Sequence, residues 1–133
     1  MRKAASGMRG LGLRFDRILT SPLARAKQTA RIVAREMKAS PGPRILRALA
    51  PGGTGRDVID GIASLRAAQS VLLVGHEPGL SRLASALISR PGVDLSFELK
   101  KGGLCSIDFD GEAQLGAGRL VFLLPPRVLR RLS

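Results

Sequence analysis

Two stretches of this chain share one order of events: a short apolar run, a break, then apolar residues at helical spacing. That order limits the available folds more than any other feature. In the first, Arg17-Ile18-Leu19-Thr20 is followed by Ser21 and Pro22 and then by Ala26, Ala30, Val33 and Met37. In the second, Ser70-Val71-Leu72-Leu73-Val74 is followed by Gly75 and then by Leu80, Leu83, Ala84, Leu87 and Ile88. The first run, short, apolar and bounded by turn formers, reads as a buried strand, and the second, without polar alternation, as a strand covered on both faces. The residues at three- and four-residue intervals give each following helix an apolar stripe to lay on the sheet. Strand-helix units of this kind build a parallel α/β sheet, and ligands bind such sheets outside the carboxyl ends of the strands.

Both breaks carry chemistry suited to those ends. Ser21 reads as a helix N-cap and Pro22 as the first helical residue, and the unpaired N–H groups of a helix start attract anions. Arg25, one turn inside, adds a planar fork that matches two phosphate oxygens at once. Gly75 permits a tight exit from the second strand, and His76, the only histidine, follows it. Arg25 has a bland reading as a solvated surface arginine, and His76 as a structural histidine. Their positions after two buried strands, with His76 between Gly75 and Pro78 and off any amphipathic face, point instead to a phosphate pocket.

At this point the chain resembles a known family. Ser21, Arg25, Ala26, Gln28, Thr29 and Ala30 match the S-x-x-x-R-A-x-Q-T-A stretch of the histidine phosphatase superfamily, and Gly75-His76-Glu77-Pro78 is similar to the second-histidine motif of its small bacterial SixA-type phosphohistidine phosphatases. The resemblance runs from about Leu11 to the C-terminus. It implies a three-layer α/β/α sandwich of the phosphoglycerate mutase-like fold, and a phosphatase that works through a phosphohistidine intermediate without a cofactor. It also implies that Arg25 clamps the phosphate, that His76 donates a hydrogen bond to it, and that Ser21 belongs to the phosphate-binding set.

The departure from the family pattern is equally informative. The family's nucleophile lies in an R-H-G that follows its first strand, and no such triplet occurs here. Residues 1–13 look like the end of the family's first helix and the turn after it. The expectation is one histidine phosphatase-like domain over residues 1–133 that lacks the first strand and catalytic loop and is therefore inactive as it stands. A start assigned too far downstream, a fragment cut at an internal methionine and a pseudoenzyme are the three origins compatible with this; a break inside a helix favours the first two. Residues 47–55, where family members acting on alkyl phosphates carry an acid, contain none. Glu77 and Asp57 are the candidates to replace it, and the resemblance implies a preference for phosphohistidine.

The remaining features give coarse expectations. Pro41-Gly42-Pro43 reads as a loop, residues 44–46 as a short strand, residues 51–55 as a flexible loop bordering the pocket, and Val58, Ile62 and Leu65 as a helix face. Arg90-Pro91-Gly92 ends the helix after His76. Residues 104–109 and 120–124 read as an antiparallel hairpin at one side of the sheet, with Cys105 a small core residue beside Ile107 and Phe109. Lys100-Lys101-Gly102-Gly103 reads as a solvated turn. One histidine, one cysteine and scattered carboxylates offer no metal-ligand spacing, and Gly52-Gly53-Thr54-Gly55 lacks the lysine of a P-loop.

Charge raises a different class of function. The net charge of +12 suits a nucleic acid, an anionic lipid or an acidic protein partner. Yet Tyr and Trp are absent, four Phe are present and the 17 arginines are spread along the chain, so no stacking platform for single strands can be read. The expected partner is a phosphorylated protein or small phosphate, with no specific nucleic acid and no membrane; the alternative is a basic, non-catalytic protein that binds a phosphoprotein or nucleic acid. With no apolar run long enough to span a bilayer and no signal-peptide pattern, the expected location is cytoplasmic.

Overall fold

A computed structural model describes residues 1–65 and 67–133. At its centre is β1 (Arg17–Thr20), flanked in one parallel sheet by β2 (Arg44–Ile45) and β3 (Val71–Val74). Side chains alternate faces along a strand, and in β1 both faces are apolar. Ile18 is buried with residues of α1 (Arg2–Gly10), α2 (Ala24–Met37) and α5 (Pro126–Arg131). Leu19, on the other face, is buried with residues of α3 (Gly55–Ala63) and α4 (Gly79–Ile88). The result is the expected three-layer α/β/α sandwich, with the helical stripes expected from the sequence inward: Ala26, Ala30 and Val33 on α2, and Leu83, Ala84 and Leu87 on α4.

The amino ends of β1 and β3 are held together by one carboxylate. Asp16 Oδ2 accepts from the amides of Gln69 at 2.7 Å and Ser70 at 3.0 Å. Ser70 Oγ returns a hydrogen bond to the Arg14 carbonyl at 2.8 Å.

Several boundaries differ from the sequence reading. Ser21 is not the cap of α2, which begins at Ala24 with Leu23 in the N-cap position. The reason is that Ser21 still belongs to the sheet: its amide donates to the Val74 carbonyl at 2.9 Å, and its Oγ accepts from the Leu23 amide at 3.2 Å to turn the chain. Arg25 is accordingly in the first turn. Gly75 does not adopt a left-handed conformation; a Cβ there would sit 3.2 Å from Leu80 Cδ2, so close approach of α4 is what favours glycine.

Residues 51–55 are a fixed turn. Gly53 lies so near Ala48 that a Cβ would meet its carbonyl oxygen at 1.8 Å, and Thr54 Oγ1 caps α3 by accepting from the Asp57 amide at 3.1 Å. A short 3-10 turn over Arg47–Leu49 precedes them. The late hairpin forms as expected, from β4 (Leu104–Asp108) and β5 (Arg119–Leu124), but it is a separate two-stranded sheet. Among the described residues β3 pairs only with β1, and β4 only with β5. A cleft of about 1050 Å³ is lined by both strands.

The C-terminal helix was not read from the sequence. Pro126 opens α5, and Leu129 is fully buried against α1. A Cβ on Gly7 would stand 1.9 Å from the Leu129 carbonyl oxygen, so the two helices touch backbone to backbone. Alanine favours a helix interior over glycine by about 1 kcal/mol, but here the clash wins. Gly7→Ala is expected to lower unfolding stability by roughly 1–3 kcal/mol, the range for overpacking a tight contact. A urea titration measures it, and an unchanged or raised midpoint would show that α5 yields freely.

Candidate active site

The β1–β3 register dictates what meets at the carboxyl end of the sheet. Thr20 lies beside Val74, so the next residues, Ser21 on one strand and Gly75-His76 on the other, are neighbours. His76 Nε2 is 2.6 Å from Ser21 Oγ. Ser21 is fully buried, held by its own amide on Val74 and by the Leu23 amide on its hydroxyl. The ring is therefore fixed by a group that is itself fixed. A serine hydroxyl has one proton and two acceptor positions; with one position used by Leu23, the hydroxyl either donates to Nε2, with the ring proton on Nδ1, or accepts from an Nε2–H through its second position. The His76 carbonyl accepts from the Leu80 amide at 2.8 Å, tying the same residue to the start of α4.

Arg25, exposed in the first turn of α2, lines the cleft together with His76, Glu77, Lys100 and Lys101. Among the described residues its guanidinium has no hydrogen-bonded or ion-paired partner; the ion pairs there are Lys100–Glu98 and Arg119–Asp110. The two helix starts near the site differ. At α4 a carboxylate from the chain itself serves the amino end: Glu77 Oε1 accepts from the Ser81 amide at 3.1 Å, and Oε2 accepts from the Ser81 hydroxyl. At α2 no side chain caps the first-turn amides, so a first-turn N–H set and an unpaired arginine remain available to an anion.

The sequence-predicted residues thus fall into two groups. Arg25 and His76 are on the cleft wall, and Ser21 lies behind His76, absent from the cleft lining, reaching a ligand only through the ring. Glu77 also lines the cleft, but its carboxylate is engaged by Ser81. Asp57 and residues 51–55 do not line it, which corrects the expectation that this loop borders the pocket. Lys100 and Lys101 form a turn, as expected, and also line the cleft. Sequence reading missed the pairing of Ser21 with His76, although both directly follow strands that pair in parallel. Among the described residues no group of three or more His, Cys, Asp or Glu could hold a metal ion, and no helix is long and apolar enough to cross a membrane.

A cleft at the carboxyl ends of a parallel sheet, lined by a positioned imidazole and by a guanidinium with no partner among the described residues, is suited to an anion and places the chain among α/β proteins with a ligand site at that end of the sheet. Comparison with known proteins narrows the class. Residues 1–49 match the family model of the histidine phosphatase superfamily, branch 1. An uncharacterised protein of Picosynechococcus sp. strain PCC 7002 is 36% identical over 131 residues, covering 94% of this chain and 77% of that one. Among solved structures, the protein histidine phosphatase SixA complexed with tungstate superposes with a TM-score of 0.80 at 27% identity, covering 96% of this chain and 80% of SixA. A candidate SixA phosphohistidine phosphatase from Agrobacterium tumefaciens gives 0.69 at 25% identity, over 94% and 77% of the two chains. A candidate alpha-ribazole-5'-P phosphatase from Escherichia coli shares the fold, with a TM-score of 0.71 at 20% identity over 94% and 80%. The chain belongs to the histidine phosphatase superfamily, a family of phosphatases, and is of the SixA type.

Cys105, expected in the core, is half-buried and lines the cleft. Burial pushes its thiol above the ordinary value because the charged thiolate is disfavoured away from water. A raised value means less thiolate than a free cysteine has at any pH below it, so Cys105 is expected to alkylate with iodoacetamide more slowly than glutathione at pH 8. Its rate should keep rising with pH after that of glutathione has levelled off. A rate equal to glutathione's across the range would contradict the buried placement.

Proposed function

We propose that this chain carries the phosphate-binding side of a phosphohistidine phosphatase site, in which Arg25 clamps the phosphoryl group and His76 donates to it from Nδ1. The observation that carries the proposal is the 2.6 Å contact between His76 Nε2 and the buried Ser21 Oγ. It leaves Nδ1 as the ring nitrogen without a partner among the described residues and fixes the ring beside the cleft that Arg25 also lines. Preorganised donors of this kind stabilise the charge on a transferring phosphoryl group because they need not reorient during the reaction.

The covalent route has two steps. A histidine nitrogen attacks phosphorus as the leaving group departs with the bonding electron pair; water then attacks the phosphohistidine, releasing inorganic phosphate and the free imidazole. His76 is the only histidine, and in this reading it is the phosphate donor, so these 133 residues offer no second histidine for the role of nucleophile. The chain is expected to bind phosphate or tungstate and yet leave p-nitrophenyl phosphate unhydrolysed. Calorimetry and a colorimetric assay on the same sample test this, and robust turnover would overturn it.

In a protein extended to include an Arg-His-Gly segment, Arg25→Lys is expected to weaken phosphate binding by on the order of tenfold or more, since lysine keeps the charge but loses the fork. His76→Ala is expected to lower kcat/KM by about 10² to 10³, the scale for losing one transition-state donor. Near-normal values for either variant would remove that residue from the site.

Substrate preference follows from the acids. Of the two candidate acids, Glu77 is occupied by Ser81 and Asp57 lies off the cleft wall, so neither stands ready to protonate an alkoxide, whose conjugate acid is nearly as weak as water at about 15.7; Asp108 and Glu112 of the late hairpin also line the cleft and are the acids that would serve if alkyl esters were cleaved. Imidazole needs little help, because its ring nitrogen protonates near pH ~6.5. The extended enzyme is expected to turn over a phosphohistidine peptide with higher kcat/KM than glycerol or sugar phosphates. Equal or faster hydrolysis of the alkyl esters would refute this preference and point to one of the acids that line the cleft.

A further inference from the structure

The cations that are spread along the sequence are gathered by the fold. α1 packs on both α2 and α5, so these three helices form one outer layer over the sheet. Together they carry ten Lys and Arg against one acid, Glu36, a net +9 of the chain's +12. The opposite layer, α3 and α4, carries two arginines and two aspartates and is neutral. The excess charge therefore belongs to one face of the sandwich.

Helical periodicity sets which way these cations point, because positions opposite a buried stripe face outward. On α1, burial of Ala4, Ala5 and Met8 turns Lys3 and Arg9 out; on α2, burial of Ala26, Ala30 and Val33 turns Arg31 and Arg35 out; on α5, Arg127 and Arg131 stand opposite the buried Leu129. All six are exposed, and no ion pair among the described residues involves them. Arg9 donates to the Glu36 carbonyl at 3.1 Å, a contact that leaves its charge uncompensated. Packed helices lie about 8–10 Å apart, close to the Debye length of about 8 Å at physiological salt, so neighbouring charges on the layer act as one field.

Such a field attracts any polyanion, and two features of the face select among them. Ile32 is exposed between Arg31 and Arg35, an apolar contact that a nucleic-acid backbone has no group to match. Arg25, in the first turn of the same helix, lines the cleft, so the face continues round the end of α2 into the phosphate pocket. A bilayer resting on the layer does not follow that corner. A protein segment does, and it supplies both apolar side chains and carboxylates that match arginine forks two oxygens at a time.

We infer that the outer face of α1, α2 and α5 docks an acidic protein segment and so delivers a phosphoryl group on that segment to Arg25 and His76; the delivery half rests on the phosphate-pocket reading above. At about 1.5 Å per residue, Arg31 and Arg35 lie about 9 and 15 Å along α2 from Arg25, a span that an extended chain covers in about three to five residues. The selected substrate is then a phosphoprotein with a carboxylate cluster at that distance, in preference to a small phosphate ester.

The test uses the 133-residue chain and fluorescein-labelled phosphoserine peptides, read by anisotropy at about 150 mM salt. One peptide pair carries four glutamates beginning three residues after, or ending three residues before, the phosphoserine; a second pair has glutamine in their place, and a third has the glutamates without the phosphate. The acidic phosphopeptide, in one of its two orders, is expected to bind at least about tenfold more tightly than its glutamine counterpart, and more tightly than the unphosphorylated one. Combining Arg31→Gln with Arg35→Gln, which keeps good helix formers, should cut that advantage at least about threefold while tungstate binding by calorimetry is unchanged. Tungstate reads the pocket and the glutamate dependence reads the face, so the two readings fail separately. Equal affinity of glutamate and glutamine peptides in both orders, an advantage that survives the double substitution, or equal binding with and without the phosphate would each overturn the inference. So would tighter binding of phosphatidylserine vesicles or of a DNA duplex that displaces the acidic peptide, which would assign the face to a lipid surface or to nucleic acid.

Discussion

The parallel pairing of β1 with β3 is the interaction on which the rest of this structure depends. Its register sets Thr20 beside Val74, and from that follow the Ser21 amide on the Val74 carbonyl and the Ser21 hydroxyl on the His76 ring. The same strand anchors both helical layers, because Ile18 and Leu19 turn to opposite faces and are each almost wholly buried. Packing and site geometry are thus two results of one four-residue strand. A substitution that loosened β1 would be felt at the imidazole before any functional side chain had been changed.

Electrostatics sort the residues around the cleft into those already satisfied and those still open. Glu77 spends its carboxylate on Ser81 at the start of α4, while α2 begins without any capping side chain and Arg25 faces solvent without a counter-ion among the described residues. For the phosphate-binding role proposed above, positive groups that are not neutralised beforehand are the ones a dianion can use. The absence of a cap at α2 costs helix stability, by about 0.5–2 kcal/mol relative to a good cap, and leaves its first-turn amides unclaimed.

The strand-helix order was legible because the spacing of apolar residues changes from continuous to helical at Ser21 and again after Gly75, and burial enforces both patterns. What stayed hidden depended on contacts between distant segments. Ser21 and Pro22 have the composition of a helix start, but a partner strand 50-odd residues away keeps Ser21 in the sheet, and no local signal reports that. The hairpin of β4 and β5 was visible from alternation and turn residues; whether it joins the parallel sheet is a question of which edges meet. α5, six residues that begin at the second of two prolines, is too short to show a period, and its place is set by the gap that Gly7 leaves. The functional reading rests on Arg25 and His76, and the sequence singles those two out because His76 stands just past one buried strand and Arg25 in the first turn of the helix that follows another.

The Asp16 clamp lies at the other end of the same sheet, and its effect is one of alignment. Its carboxylate grips two consecutive amides of the chain leading into β3, which fixes how far that strand is drawn along β1. A slip of one residue would shift His76 by about 3.3 Å and send every β3 side chain to the opposite face. The accuracy with which an imidazole meets a serine hydroxyl is therefore set about four strand residues away, roughly 13 Å, by a residue that never approaches the ligand. In this molecule the tolerance of the active end is decided at its far end, much as the reading of a scale depends on where its zero is fastened.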